Sequence, residues 1–229
     1  KGTGKSTFQQ LMSSVLGGAI QGEDGHYWTS FDATPSGLEQ AMASHSDLPM
    51  IMEEANLYVA GESPRRRGEH FKALAFRLAG GSDKRRYGQE EAGEFRFVYV
   101  TSSNERLADL IGRNSEAARA AADRLITIQI PSDRPHGLFD SIPKEFNSGS
   151  EFAKSLIAAA DANHGNAIRR FLRKLVNARA RDEARLKKDI AALVARFCEK
   201  AAVDPSDGSA MRVAEAFGIV YAAGELAIR

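Results

Sequence analysis

Hydrophobic and polar positions follow two spacings along the first 130 residues, one typical of helices and the other typical of strands. Apolar side chains at helical spacing predict helices over residues 8–15, 35–44, about 69–78 and 107–122. Short apolar or alternating runs predict strands over residues 48–52, 95–101 and 125–130. Because strands and helices take turns along the chain, the pattern predicts an α/β protein with a parallel sheet and flanking helices.

The pattern changes after Pro131. Residues 132–149 are interrupted by prolines and glycines, which predicts a linker. From residue 150 onward the periodicity is almost entirely helical, as in the apolar stripe formed by Leu186, Ile190 and Leu193. We therefore expect a core over residues 1–131, a linker over 132–149 and a small all-α domain over 150–229.

Composition narrows the class of protein. The 229 residues include 43% apolar residues, enough to bury one good core and a smaller second domain. The single cysteine, Cys198, excludes a disulfide framework and favours a reducing compartment. No apolar run approaches the length of a membrane span and no signal peptide is visible, so we expect a cytoplasmic protein without a membrane partner.

The strongest chemical signal lies at the start of the chain. Residues 1–7 read K-G-T-G-K-S-T, which matches the second part of the phosphate-binding P-loop motif G-x-x-x-x-G-K-[ST]. The leading glycine of the motif would fall before residue 1, so we expect an N-terminally truncated fragment. The alternative is a glycine- and lysine-containing tail that binds no ligand.

Each residue type in this segment is suited to binding a nucleoside triphosphate together with magnesium. Small residues let backbone amides turn toward phosphates at the start of a helix, where the helix dipole also favours an anion. A lysine adds a positive charge, and a serine hydroxyl can bind Mg²⁺. The predicted ATP-binding residues are Gly2, Thr3, Gly4, Lys5, Ser6 and Thr7.

Two acids follow the predicted strand 48–52. Hydrolysis of ATP needs a carboxylate near the metal and a group that orients the attacking water. Side chains alternate along a strand, so Glu53 and Glu54 should face different partners. We assign Glu53, with Ser6, to magnesium and Glu54 to water activation. The alternative is a pair of solvated glutamates that ends the strand.

Polar residues also follow the predicted strand 95–101. In many ring-forming ATPases a polar residue at this position contacts the γ-phosphate or the water. Ser103 and Asn104 are the main candidates, and the sequence leaves the choice among Thr101, Ser102, Ser103 and Asn104 open. The alternative is a Ser or Asn cap on the following helix.

The order of several short motifs resembles a known family, the bacterial and phage ATPases classified as domain of unknown function 927. The matching motifs are residues 1–7, 28–29, 37–39, 45–47, 51–54, 76–85, 100–103, 123–126, 130–131, 137–139 and 149–153. Two positions depart from the family pattern. Glu53 stands where Asp is usual, and Thr101-Ser102-Ser103-Asn104 stands where a Ser-Thr-Gly-Glu-like sequence is common.

The resemblance implies a P-loop NTPase core of the AAA+ and superfamily III helicase type, followed by a small all-α domain. It further implies a homo-oligomeric ring that acts on DNA, with a fused or associated primase as a possible partner. In helicases of this type a hairpin that projects into the pore lies between a glycine turn and the strand corresponding to 95–101.

A basic run occupies that position. Residues 61–89 contain eight Lys and Arg against three acids, although the whole chain carries a net charge of only +1. The lysine and arginines could contact phosphates and the tyrosine could stack on a base of single-stranded DNA. These candidates are Lys84, Arg85, Arg86 and Tyr87. The alternative is a solvated loop or an arginine cluster at a subunit interface.

Arg124 precedes the predicted strand 125–130 and resembles an arginine supplied to a neighbouring subunit's nucleotide. The alternative interpretation of Arg124 is an ion pair with Asp123 or a nearby acid. Arg113 is a weaker candidate for the role at a neighbouring subunit's nucleotide. Taken together, the sequence predicts an ATP-hydrolysing motor, a DNA helicase or translocase of a replication or mobile-element protein. The competing interpretations are a DNA-binding or assembly module with a degenerate nucleotide site and a P-loop kinase for a small molecule.

Overall fold

The computed structural model describes residues 3–18, 20, 27–45, 47–81, 94–111, 120, 124–131 and 133–228, and the structural statements below refer to these residues. The chain divides into two compact units, Lys1–Gly165 and Asn166–Arg229.

The first unit is built on a parallel sheet. Its strands are β1 (Thr29–Ser30), β2 (Met50–Glu53) and β3 (Tyr99–Thr101), in the spatial order β1-β2-β3. Thr29 pairs with Met52 on one side of β2, and Met52 pairs with Thr101 on the other. The predicted combination of helices with a parallel sheet is therefore confirmed for the described residues.

Helices connect and cover these strands. In chain order they are α1 (Lys5–Ser14), α2 (Pro35–Ser44), α3 (Pro64–Gly80), α4 (Leu107–Ile111) and α5 (Gly149–Ala162), with a 3₁₀ turn at Ala55–Leu57. Local sequence explains the start of α2, because Pro35 suits the first helical position and the Thr34 side chain accepts a hydrogen bond from the Gly37 N–H.

The core of this unit surrounds β2. Met50, Ile51 and Met52 are almost completely buried, as expected of a central strand covered on both faces. The other large core side chains come from the flanking elements and include Phe31, Leu38, Met42, Tyr58, Phe71 and Leu74. Burial raises the pKa of Tyr58 because the low-dielectric surroundings disfavour the phenolate.

Three predicted elements differ from the structure, and one of them, the strand predicted over 95–101, is shortened to Tyr99–Thr101. Residues 125–130 form no strand: Leu125 is buried, but Ile128 is 72% exposed. The alternating pattern is real, yet no neighbouring strand in the described part of the chain pairs with it. The helix predicted over 69–78 begins earlier, at Pro64, so the basic residues before it lie in its first turn.

The segment predicted as a linker is part of the first unit. Residues 133–148 contain turns but no regular element, and Gly137 lies against the backbone of Thr3. Helix α5 packs on α1, and the Gly165 N–H donates to the Ser14 carbonyl at 2.8 Å. The division between units therefore falls after Gly165, later than the boundary at residue 150 that the sequence predicts.

The second unit is helical and contains α6 (Asn166–Arg181), α7 (Glu183–Lys200) and α8 (Gly208–Ile228). The Asp182 side chain accepts from the Arg185 N–H and caps α7. Leu193 on α7 and three small residues on α8 are buried, and the rings of Phe197 and Tyr221 are in contact. Within the described ranges, no helix combines the length and the apolar character needed to cross a membrane.

Candidate active site

Polar side chains from three separate parts of the chain meet at the carboxyl-terminal edge of the sheet. They are Lys5 and Ser6 at the start of α1, Glu53 and Glu54 at the end of β2, and Asn104 after β3. Because neighbouring parallel strands end at the same edge, residues far apart in sequence are brought together there.

Asn104 bridges a cation and a carboxylate. The Lys5 Nζ donates a hydrogen bond to the Asn104 Oδ1 at 2.8 Å, and the Asn104 Nδ2 donates to the Glu54 Oε1 at 2.9 Å. Since an amide oxygen only accepts and an amide nitrogen only donates, this orientation of Asn104 satisfies both partners. One side chain thereby sets the positions of both a lysine and a glutamate.

Ser6 and Glu53 form a second pair. The Ser6 Oγ donates to the Glu53 Oε1 at 2.8 Å. A hydroxyl and a carboxylate side by side fit Mg²⁺, which in phosphate sites commonly takes one or two protein oxygens together with phosphate oxygens and water. Ser6 and Glu53 are thus the residues that could hold the ion.

The two adjacent glutamates face different partners because the backbone turns between them. Glu54 has φ of 58°, a left-handed conformation that is uncommon for a residue other than glycine. Ser102 holds this turn: its Oγ accepts from the Glu54 N–H at 3.3 Å and its carbonyl accepts from the Ala55 N–H at 2.7 Å. Such strained conformations concentrate at functional sites.

Helix α1 presents its N-terminus to the same cluster. Gly4 is its N-cap, with φ of 89° and no capping side chain. The first backbone N–H groups of a helix have no partner within the helix and can bind an anion. Lys5, which is half-buried, and Ser6, which is exposed, are the first two residues of α1, so a basic and a hydroxyl group accompany this helix N-terminus.

Gln9 anchors α1 to β2 and was not predicted from the sequence. Its side chain is buried, and the Nε2 donates to the Met52 carbonyl at 2.6 Å, one residue before Glu53. The available signal was its position one helical turn after Lys5, which places both residues on the same face of α1.

Asn56 and Arg67 form a further support that was not predicted from the sequence. The Arg67 Nη2 donates to the Asn56 carbonyl at 2.8 Å, and the Asn56 Oδ1 accepts from the Asn104 N–H at 3.4 Å. Arg65 and Arg66 instead make exposed i,i+4 pairs with Glu69 and Glu62. The three consecutive arginines therefore have different environments, which their sequence alone does not distinguish.

The structure also separates the four candidates at the carboxyl end of β3, which are Thr101, Ser102, Ser103 and Asn104. Asn104 contacts the cluster directly, whereas the Ser103 Oγ accepts from the Glu105 N–H at 3.1 Å in a local turn. The Thr101 Oγ1 lies 3.3 Å from the Ser102 carbonyl, and the Ser102 side chain supports the turn at Glu54. Asn104 is the candidate placed beside both Lys5 and Glu54.

Arg124 makes contacts within its own chain. Its guanidinium lies over the Phe76 ring, 4.8 Å from the centroid, and its Nη1 donates to the Ala120 carbonyl at 2.5 Å. None of the hydrogen bonds of the described residues joins Arg124 to the Lys5 cluster. Several predicted residues lie outside the described part of the chain: Gly2, Lys84, Arg85, Arg86, Tyr87 and Arg113.

The fold and the cluster define a mixed α/β protein in which a helix N-terminus, a lysine, two glutamates and an asparagine converge at the edge of a parallel sheet. Residues 2–96 match the family model of domain of unknown function 927 (DUF927), the family that the motifs of the sequence resemble.

A solved structure described as "SCCmec type IV Cch - active helicase" has a similar fold, with a TM-score of 0.58 and 16% sequence identity. The match covers 98% of this chain and 36% of the helicase chain, so the present sequence spans about a third of that protein's length. No curated protein has a significant match to the chain.

Proposed function

We propose that the protein is the ATP-hydrolysing motor module of a DNA helicase or translocase, with a P-loop NTPase core. The observation that carries this proposal is the convergence of Lys5, Ser6, Glu53, Glu54 and Asn104 around the N-terminus of α1. Those residue types match the requirements of phosphoryl transfer to water, which depends on positioning and on stabilising negative charge.

Each side chain has a role in the proposed reaction. Backbone amides of residues 2–7 and the Lys5 ammonium hold the phosphates of ATP. Ser6 and Glu53 would hold Mg²⁺, which would supply positive charge to neutralise the phosphates. Glu54 orients the water, and Asn104, which now bridges Lys5 and Glu54, contacts the γ-phosphate or that water once ATP separates them.

Ring assembly completes the proposed motor. Arg124 would be supplied to the nucleotide of a neighbouring subunit, after leaving its contact with Phe76. Residues Lys84, Arg85, Arg86 and Tyr87 would contact single-stranded DNA, and a primase would be fused to or associated with the module. The fold similarity to the SCCmec type IV Cch helicase and the DUF927 match support this proposal.

DNA-stimulated ATP hydrolysis tests the proposal. The full-length protein should hydrolyse ATP faster in the presence of single-stranded DNA, and Lys5→Ala should abolish turnover while Lys188→Ala, an exposed lysine on α7, should not. A rate of ATP hydrolysis that DNA does not change would instead favour a small-molecule kinase. DNA binding without turnover would favour an assembly module with a degenerate site.

The DNA contacts need their own test. Replacing both Lys84 and Arg85 by alanine should remove the stimulation by DNA and leave basal hydrolysis within about twofold, because basal turnover uses only the nucleotide site. Unchanged stimulation would rule out a DNA-contacting role for this pair.

A further inference from the structure

Gly137 lies directly against the backbone of the segment that carries Gly4 and Lys5. A Cβ atom on Gly137 would lie 2.8 Å from the carbonyl oxygen of Thr3, 3.0 Å from its carbonyl carbon and 3.2 Å from its Cα. Gly137 also has φ of 62°, a conformation that side chains disfavour. The next residue, Leu138, makes a second contact, since a Cβ on Gly4 would lie 3.1 Å from the Leu138 Cβ.

The contact at the Thr3 carbonyl also affects the position of the Gly4 N–H, because both groups belong to one peptide unit. The described chain has no cis peptide bonds, so the Gly4 N–H lies on the opposite side of the Thr3–Gly4 peptide bond from the Thr3 carbonyl oxygen. Gly137 touches the carbonyl side of this unit. Because the unit is planar and rigid, a displacement of the carbonyl also displaces the N–H of Gly4.

We propose that Gly137 is a positioning residue for the nucleotide phosphates: its bare backbone supports the Thr3–Gly4 peptide unit so that the Gly4 N–H is directed at a phosphate oxygen. This inference rests on the proposed nucleotide site. Residues 133–148, part of the segment 132–149 that the sequence predicts as a linker, thereby take a direct part in building that site.

Two variants at Gly137 separate its close contact from its backbone strain. Gly137→Ala introduces both a Cβ and an unfavourable φ. Gly137→Asn introduces the same Cβ, but asparagine tolerates the left-handed conformation better. Both variants should raise the KM for ATP about tenfold, the effect of losing one hydrogen bond to a charged group, and should leave kcat within about twofold.

Gly165→Ala is the matched control. Gly165 has a similar φ of 70°, but a Cβ there would meet its nearest neighbour, the Leu16 carbonyl oxygen, at an ordinary 3.7 Å. This variant should lower the melting temperature without changing the KM for ATP. A merely structural role for Gly137 would give the same result as this control: fewer active molecules, hence lower kcat at unchanged KM.

A second measurement needs no variant. In hydrogen exchange on the wild-type protein, ATP should slow exchange in residues 134–139, because a phosphate bound at Gly4 immobilises the peptide unit on which Gly137 rests. Unchanged KM values in both Gly137 variants, or no protection of residues 134–139, would overturn the inference. If the wild-type protein binds ATP and Lys5→Ala abolishes ATP hydrolysis, a negative result for Gly137 leaves the proposed function intact. If wild-type protein does not bind ATP, both proposals fail.

Discussion

Asn104 accepts a hydrogen bond from the Lys5 ammonium at 2.8 Å, although 99 residues separate them in sequence. Its amide nitrogen donates to Glu54 in the same arrangement. The side chain that contacts the positively charged lysine therefore also contacts the carboxylate proposed to orient water. This arrangement makes Asn104 the first residue to test.

Replacing Asn104 by alanine should reduce kcat for ATP hydrolysis about a hundredfold, as expected when one donor to developing charge is removed from an active site. Asn104→Asp should be equally impaired, because a second carboxylate would repel Glu54. Ser103→Ala is the control, since the Ser103 Oγ accepts from the Glu105 N–H in a local turn, and steady-state kinetics should show less than a twofold change. Equal losses in the Ser103 and Asn104 variants would contradict the assignment of Asn104.

Ser6→Ala should increase the Mg²⁺ concentration needed for half-maximal hydrolysis about tenfold, because the hydroxyl that contacts Glu53 is lost. Ser6→Thr keeps a hydroxyl at this position and should retain the wild-type requirement. In the same helix, the Ser14 Oγ donates to the Leu11 carbonyl, so Ser14→Ala serves as the control in the Mg²⁺ titration. A Ser6→Ala protein with the wild-type Mg²⁺ requirement would argue against a metal site here.

Arg67→Ala should lower the free energy of unfolding by about 2 kcal/mol, because the half-buried guanidinium donates to the Asn56 carbonyl and the loss leaves that oxygen without this partner. Arg65→Ala should cost less than about 0.5 kcal/mol, since Arg65 forms only an exposed pair with Glu69. Urea unfolding of both variants measures the difference. Similar costs would mean that the Arg67–Asn56 contact contributes little.

Gly218→Ala should destabilise the second unit by about 1–3 kcal/mol, because a Cβ there would lie 2.9 Å from the Val194 Cγ1 and 3.3 Å from the Val194 backbone. Gly224→Ala lies in the same helix with open space around its Cα, and it should stabilise the protein by about 0.5–1 kcal/mol. Denaturant unfolding should therefore move in opposite directions for the two variants. A stabilising effect of Gly218→Ala would contradict the close packing of α8 on Val194 of α7.

We expect the folded protein to lose stability at high pH because of Tyr99. Burial raises its pKa above the usual 10.0, because the folded state disfavours the phenolate. The unfolded state therefore releases the proton first, and the free energy of unfolding falls as the pH rises above about 10. Tyr99→Phe should make unfolding between pH 9 and pH 11 less dependent on pH, and an unchanged dependence would argue against this linkage.

The sequence predicted α2 at the residues where it lies, because its Pro35 start and its buried Leu38 and Met42 are local signals. It placed a strand over 125–130 that the structure lacks, because alternation shows only that a strand could form. Whether a strand forms depends on a neighbouring strand with free backbone groups, and that is a tertiary property.

The residues of the candidate site also divide into those that could be proposed from the sequence and those that could not. Lys5, Ser6, Glu53 and Glu54 could be proposed from sequence, because the spacing within a motif and the end of an apolar run are local features. Asn56, Arg67 and Gly137 could not, because each acts through a contact with a residue distant along the chain. No local pattern separates Arg67 from the two arginines that precede it.

The amino-acid sequence by itself determined which chemical groups the candidate site contains and in what order they occur, together with the helices and the central strand that carry them. Only the tertiary structure decided that Asn104 rather than Ser103 meets Lys5, and that residues 133–148 rest on the Thr3–Gly4 peptide. The reason is physical: side-chain chemistry and periodicity are properties of short segments, whereas a hydrogen bond or a close packing contact depends on the strand register and helix packing that bring distant segments together.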